Sequence, residues 1–122
     1  MNIGTQSRKA SVLTHLLPFA LLGVCGFVAA PARADAPTFT IEFHDGKISP
    51  LRIEIPAKQQ FRLEFNNTGS TASEFESHEL HKEKVLAPKS HSFLVFHPLE
   101  PGEYTFFDDF HPGGPKPVLV VK

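Results

Sequence analysis

The feature of this sequence that most constrains its fold is a recurring pattern of short apolar stretches of strand length, separated by turn residues. In the first stretch Phe39, Ile41 and Phe43 alternate with polar residues, which is typical of a strand with one buried face. Stretches of this length recur at 38–43, 48–55, 61–65, 73–77, 92–96, 104–107 and 118–121. Because no amphipathic helix of useful length accompanies them, the pattern predicts an all-β sandwich or small barrel of seven to eight strands.

One segment leaves its structure open. Residues 78–85 mix His, Glu, Lys and single apolar residues without a clear period, so they fit either a short helical turn or an irregular crossing. The preceding stretch is clearer, because alternation around Phe75 places Glu74 and Glu76 together on the opposite face of a strand.

The first 34 residues have the organisation of a secretory signal peptide. Arg8 and Lys9 precede an apolar run, and Ala32-Arg33-Ala34 forms a small-residue cleavage site. A membrane anchor and a lipid-modified Cys25 are the alternatives; the short apolar core and the large Val24 argue against them. We therefore expect a periplasmic domain at residues 35–122 that does not span the membrane after cleavage.

Removal of this leader changes the charge balance. It carries three of the twelve Lys and Arg residues and none of the thirteen acidic ones, so nine cations face thirteen acids and the net charge is −4. An acidic domain with six histidines disfavours nucleic acid as a partner and is compatible with cation binding.

The acidic segments suggest a metal site. Asp108, Asp109 and His111 follow the stretch that ends at Phe107, and carboxylate and imidazole donors suit divalent iron, manganese, zinc or copper. Adjacent Asp108 and Asp109 cannot both point inward from a regular strand. Phe75, Phe106 and Phe110 are interpreted as core or site wall, and His44, His91 and His97 as surface residues.

Three segments carry a resemblance to a known fold. Residues 46–57, with Ile48-Ser49-Pro50, the turn 66–69, and Gly102-Glu-Tyr-Thr-Phe-Phe-Asp108 resemble the opening strands, the turn before the first ligand and the ligand-bearing strand of cupredoxins. The resemblance implies a cupredoxin-like Greek-key β-sandwich. It also implies that Glu74, Glu76, Asp108, Asp109 and His111 converge at one end of the sandwich.

The resemblance does not extend to the blue-copper ligands. Asp108 stands where those proteins have the copper-binding cysteine, Ser73 stands near the first histidine, and His111 matches the second. Residues 35–122 contain neither Cys nor Met, so the thiolate and thioether of a blue-copper site are absent.

A narrower resemblance points to iron. Ser73-Glu-Phe-Glu-Ser77, Phe106-Phe-Asp-Asp-Phe-His111, Glu79-Leu80 and Glu83-Lys84-Val85 are similar to segments of periplasmic cupredoxin-like components of bacterial iron-uptake systems. This implies iron or copper binding beside an inner-membrane iron permease and other periplasmic uptake components. It also implies a ferroxidase-like activity, in which Fe(II) is oxidised before transport.

Two other functions stay open, together with an additional metal site. The protein fits a periplasmic copper-binding or delivery protein without turnover, or an envelope interaction module that binds no metal. His78, Glu79 and His81 form a candidate second or shared site. Carboxylates held close together repel, so we expect raised pKa values among them until a cation binds.

Overall fold

The computed structural model describes residues 35–122, which form short strands joined by turns. The predicted leader lies outside the described residues. None of the described residues forms a helix with the length and apolarity that crossing a membrane requires. The strands are β1 (Thr38–His44), β2 (Lys47–Ser49), β3 (Arg52–Ile55), β4 (Phe61–Asn67), β5 (Ser73–Ser77), β6 (Lys82–Leu86), β7 (Ser90–Phe96), β8 (Gly102–Thr105), β9 (Phe107–Asp108) and β10 (Val118–Val121).

The strands form a β-sandwich with one larger sheet and two smaller ones. The four-stranded sheet has the order β2-β1-β4-β7, and the three-stranded sheets have the orders β3-β10-β8 and β6-β5-β9. Strands β1 and β4 pair in parallel, as do β3 and β10, and the other pairs are antiparallel. The all-β prediction is confirmed.

Phenylalanines supply the largest side chains of the core, and isoleucine, leucine and valine fill the rest. Phe75 on β5 lies at its centre, with ring centroids 4.8 Å from Phe65, 5.0 Å from Phe106 and 6.5 Å from Phe96. These contacts join β5 to β4 and β7 of the larger sheet. Phe75 therefore fixes the face of β5 that points inward, and with it the face on which Glu74 and Glu76 lie.

The described residues form ten strands where seven to eight were predicted, because two predicted strands are each divided and β6 was not predicted. Residues 48–55 form β2 and β3, interrupted at Pro50, which cannot donate a ladder hydrogen bond. Residues 104–107 lie in two strands, since β8 pairs with β10 whereas β9 pairs with β5. The chain changes sheets at Phe106, which is fully buried.

The segment 78–85 resolves into a turn followed by a strand. Residues 78–81 form the turn, with His81 at a φ of 51°, and Lys82–Leu86 form β6, antiparallel to β5. Neither a helical turn nor an irregular crossing describes residues 82–85. Strand β6 escaped the pattern because Lys82, Glu83 and Lys84 on a sheet edge carry no apolar alternation.

Candidate metal centre

Three glutamates meet on the outer face of the β6-β5-β9 sheet. Glu74 and Glu76 alternate with the buried Ser73, Phe75 and Ser77 on β5. Glu83 on β6 lies directly opposite Glu76 in the antiparallel ladder. Each of the three offers a carboxylate oxygen, and these oxygens lie within 4.8 Å of one another. We refer to Glu74, Glu76 and Glu83 as the carboxylate cluster.

No Lys or Arg among residues 35–122 forms an ion pair with the carboxylate cluster. Of the side chains in residues 35–122, only that of His78 lies within ion-pair distance of the cluster, with its Nε2 3.3 Å from Glu76 Oε1. Like charges placed directly opposite on neighbouring strands destabilise a sheet. The cluster is therefore a concentration of negative charge that a bound cation would stabilise.

Burial and this repulsion together raise the pKa of Glu74. Its pKa is raised above 4.5, first by the desolvation that accompanies partial burial and then by the negative charges of Asp109, Glu83, Glu76 and Asp108. The expectation of raised pKa values among crowded carboxylates is confirmed for Glu74. A cation and a proton therefore compete for this side chain.

A second acidic region lies where the loop after β4 meets the loop after β9. Asp108 is 3% exposed, and its Oδ1 accepts hydrogen bonds from the backbone amides of Glu74 at 2.9 Å and Phe110 at 3.1 Å. Its Oδ2 lies 2.8 Å from Nδ1 of His111. The other ring nitrogen of His111, Nε2, lies 3.0 Å from the hydroxyl of Thr71.

Asp45 extends this network. Its Oδ1 accepts hydrogen bonds from the Thr71 hydroxyl at 2.9 Å and from the amides of Ser70 and Thr71 at 2.9 and 3.0 Å. These hydrogen bonds lower the pKa of Asp45 from 3.8 to about 2, and the bond from the Thr71 hydroxyl makes the largest contribution. We refer to Asp45, Thr71, His111 and Asp108 as the loop network.

The sequence-predicted donors are thus divided between two regions. Glu74 and Glu76 belong to the carboxylate cluster, whereas Asp108 and His111 bond to each other in the loop network. Asp109 is exposed next to Asp108, and its backbone amide donates to the carbonyl of Glu74 at 3.0 Å. The expectation that only one of the two aspartates points inward is confirmed.

The predicted additional donors do not meet as a separate group. His78 lies beside Glu76, but Glu79 accepts a hydrogen bond from the Thr105 hydroxyl at 2.8 Å, and His81 is exposed in the turn. His44, His91 and His97 are exposed, as predicted. Phe110 was expected to be core or site wall and is 47% exposed instead, since Asp108 and not Phe110 fills the inward position there.

Glu83 is the member of the cluster that sequence reasoning did not select. It lies on a charged edge strand whose pairing depends on the four-residue turn at 78–81. A signal was present, because a hairpin turn at this position places residue 83 opposite residue 76. Reading His78–His81 as such a turn would have found it.

A concave surface elsewhere lacks comparable chemistry. A cavity of about 390 Å³ lies on the outer face of the four-stranded sheet, lined by residues that include Arg62, Glu64 and His91. Among residues 35–122, the carboxylate cluster is the one group of three acidic, His or Cys residues with ligand atoms close enough to share an ion.

The fold and the cluster together describe a small β-sandwich with a candidate metal-binding surface. The cupredoxin-like domain family model matches residues 18–121, and the chain belongs to that family. The resemblance of the sequence to cupredoxins is thereby confirmed.

The chain is also similar to one curated protein and to solved structures. The uncharacterized protein RP394 of Rickettsia prowazekii (strain Madrid E) is 29% identical over 123 residues, covering 99% of this chain and 98% of its own. Among solved structures, the auracyanin of Roseiflexus castenholzii has a TM-score of 0.61 at 17% identity, covering 71% of this chain and 98% of its own. The metal-binding domain of the Cu(I)-exporting P-type ATPase CopA of Streptococcus pneumoniae D39 has a TM-score of 0.61 at 16% identity. This match covers 76% of this chain and 92% of that domain. At these identities the structural likeness defines the fold alone.

Proposed function

We propose that this protein is a periplasmic metal-binding component of a ferrous-iron uptake system, and that the carboxylate cluster holds the ion. The observation that carries the proposal is the meeting of three carboxylate oxygens within 4.8 Å with no Lys or Arg ion pair to them in residues 35–122. Hard oxygen donors suit Fe(II), Fe(III) or Cu(II). In this proposal the inner-membrane iron permease and other periplasmic uptake components are the partners.

The donor set also bears on redox chemistry. A site of carboxylates stabilises Fe(III) more than Fe(II), so binding here makes oxidation of Fe(II) easier. Each Fe(II) that becomes Fe(III) releases one electron, which dioxygen or an acceptor protein must take up. This is the physical basis on which we include a ferroxidase-like step.

Copper delivery is the second candidate, because cupredoxin-like relatives include copper-binding proteins. Residues 35–122 contain no Cys or Met, so the donors do not fit a blue-copper site and offer Cu(I) no soft ligand. Within this candidate the ion is Cu(II), held by the carboxylate cluster with His78 beside it.

An anaerobic titration tests the proposal. The full chain is expressed with its own leader, purified, and titrated with Fe(II) and separately with Cu(II); oxygen is then admitted. We expect saturable Fe(II) binding and faster oxidation than in buffer. Glu76→Gln should abolish both, whereas Glu42→Gln, an exposed strand glutamate outside the cluster, should leave them unchanged.

The alternatives give different results. Binding of Cu(II) alone, without faster Fe(II) oxidation, would favour copper delivery. Absence of saturable binding of either ion would refute both metal functions and leave the envelope interaction module. Equal binding by Glu76→Gln and the parent would place the ion outside the carboxylate cluster.

A further inference from the structure

The donors and acceptors of the loop network determine where its protons lie. Asp45 has a pKa of about 2 and is an ionised acceptor at neutral pH. In the 2.9 Å contact between Thr71 Oγ1 and Asp45 Oδ1 the hydroxyl must therefore be the donor. Thr71 has one hydroxyl proton, so in its 3.0 Å contact with His111 it must accept. The Nε2 atom of His111 consequently carries a proton.

The Nδ1 side of the His111 ring faces the carboxylate of Asp108. Oδ1 of Asp108 accepts from two backbone amides and carries no proton. The 2.8 Å contact between Asp108 Oδ2 and His111 Nδ1 then needs one proton between them. Both ring nitrogens of His111 are therefore engaged in hydrogen bonds, and a metal ion can bind His111 only if one of these bonds breaks.

Asp108 lies beside the backbone of Glu74. Strand β9 contributes two residues to its ladder with β5, pairing Asp108 with Phe75 and Phe107 with Glu76. Beyond that ladder, both the backbone amide and the backbone carbonyl of Glu74 form hydrogen bonds. Its amide donates to the Asp108 carboxylate at 2.9 Å, and its carbonyl accepts from the amide of Asp109 at 3.0 Å.

We infer that Asp108 and His111 are positioning residues, which hydrogen-bond to each other and fix the backbone of Glu74, and that they are not ligands of the ion. The inference rests on the proposed function for its consequence, because Glu74 is a member of the carboxylate cluster. Groups that orient metal ligands usually change affinity by about 10–100-fold when removed.

Two substitutions at one position separate positioning from ligation. In Asp108→Asn the side-chain oxygen still accepts from the amides of Glu74 and Phe110, and its amide group donates to a neutral His111. We therefore expect Zn²⁺ affinity within about threefold of the parent for Asp108→Asn and a loss of about tenfold or more for Asp108→Ala. Comparable large losses in both variants would overturn the inference.

Nitrogen NMR of histidine-labelled full chain supplies a readout that stability alone does not move. In the metal-free parent we expect a protonated Nε2 on His111 and one deshielded proton between Nδ1 and Asp108. Saturation with diamagnetic Zn²⁺ should leave both His111 nitrogen shifts unchanged. An unprotonated Nε2, or a shift of either nitrogen to a metal-bound value, would overturn the inference.

These measurements also separate the inference from the proposed function. If the parent binds no Zn²⁺, Fe(II) or Cu(II), the proposed function fails, and the metal-free spectra still decide whether the hydrogen bond between Asp108 and His111 exists. If Asp108→Ala does not fold, the Zn²⁺ titration of the parent and of Asp108→Asn decides between positioning and ligation.

Discussion

The carboxylate cluster and the loop network are neighbouring acidic regions that both contact β5. They differ in whether their carboxylates accept hydrogen bonds from the protein. In the loop network, Asp108 and Asp45 each accept at least two hydrogen bonds. The donors are backbone amides and, for Asp45, also the Thr71 hydroxyl. In the carboxylate cluster, the acids face one another and an exposed histidine. An acid whose lone pairs are satisfied stabilises the fold, whereas acids left in mutual repulsion are available to a cation.

The largest expected effect on stability comes from the loop network. Asp108→Ala leaves the amides of Glu74 and Phe110 and the ring of His111 without their acceptor, so we expect a loss of about 3–5 kcal/mol in the free energy of unfolding. Denaturant titration measures it. Asp109→Ala, at the adjacent exposed position, is the matched control and should change little. Equal effects would contradict the difference in burial between the two aspartates.

The largest expected effect on binding comes from the residue that the sequence pattern missed. Glu83→Gln removes one of three charges from the cluster. Because Glu83 would bind the ion directly, we expect metal affinity to fall by about a hundredfold or more, beyond the roughly 10–100-fold that removal of a group orienting a ligand costs. Calorimetric titration with Fe(II) under anaerobic conditions measures the change, with Glu42→Gln as control. An unchanged affinity would remove Glu83 from the site.

The metal-free protein should show the opposite response to a change at Glu74. Because the pKa of Glu74 is raised above its unfolded value, ionisation costs stability, and this cost appears as pH rises through and above 4.5. Glu74→Gln should therefore raise the melting temperature at pH 7 by roughly 5 °C, with a gain that vanishes near pH 4.

Glu54 provides the contrast for that measurement. A hydrogen bond and the charge of Lys122 lower its pKa, so Glu54→Gln should lower the melting temperature slightly at pH 7. A lower melting temperature of Glu74→Gln at pH 7 would mean that other groups stabilise the ionised carboxylate of Glu74 in solution.

The smallest expected effect tests the outer end of the loop network. The pKa of Asp45 is lowered to about 2, so its contribution to stability is present above pH 3.8 and is lost as pH falls through 2. Asp45→Asn should lower the melting temperature at pH 7 by roughly 2 °C. The parent and the variant should converge near pH 2, and a difference that persists there would assign the effect to packing.

Much of the architecture could be predicted, because apolar residues recur at every second position of a strand that buries one face. The alternation around Phe39, Ile41 and Phe43 gave β1, and Phe75 gave the outward direction of Glu74 and Glu76. The change of sheets at Phe106 could not be predicted, since a single apolar run is compatible with one continuous strand.

The sequence by itself determined an all-β domain, the outer face that carries Glu74 and Glu76, and the absence of thiolate and thioether donors from residues 35–122. Tertiary structure alone decided that Glu83 joins that face and that Asp108 and His111 satisfy each other. The physical reason is that side-chain direction follows from local backbone geometry. The partners of a polar group, in contrast, depend on strand register and on which loops meet at the end of the sandwich.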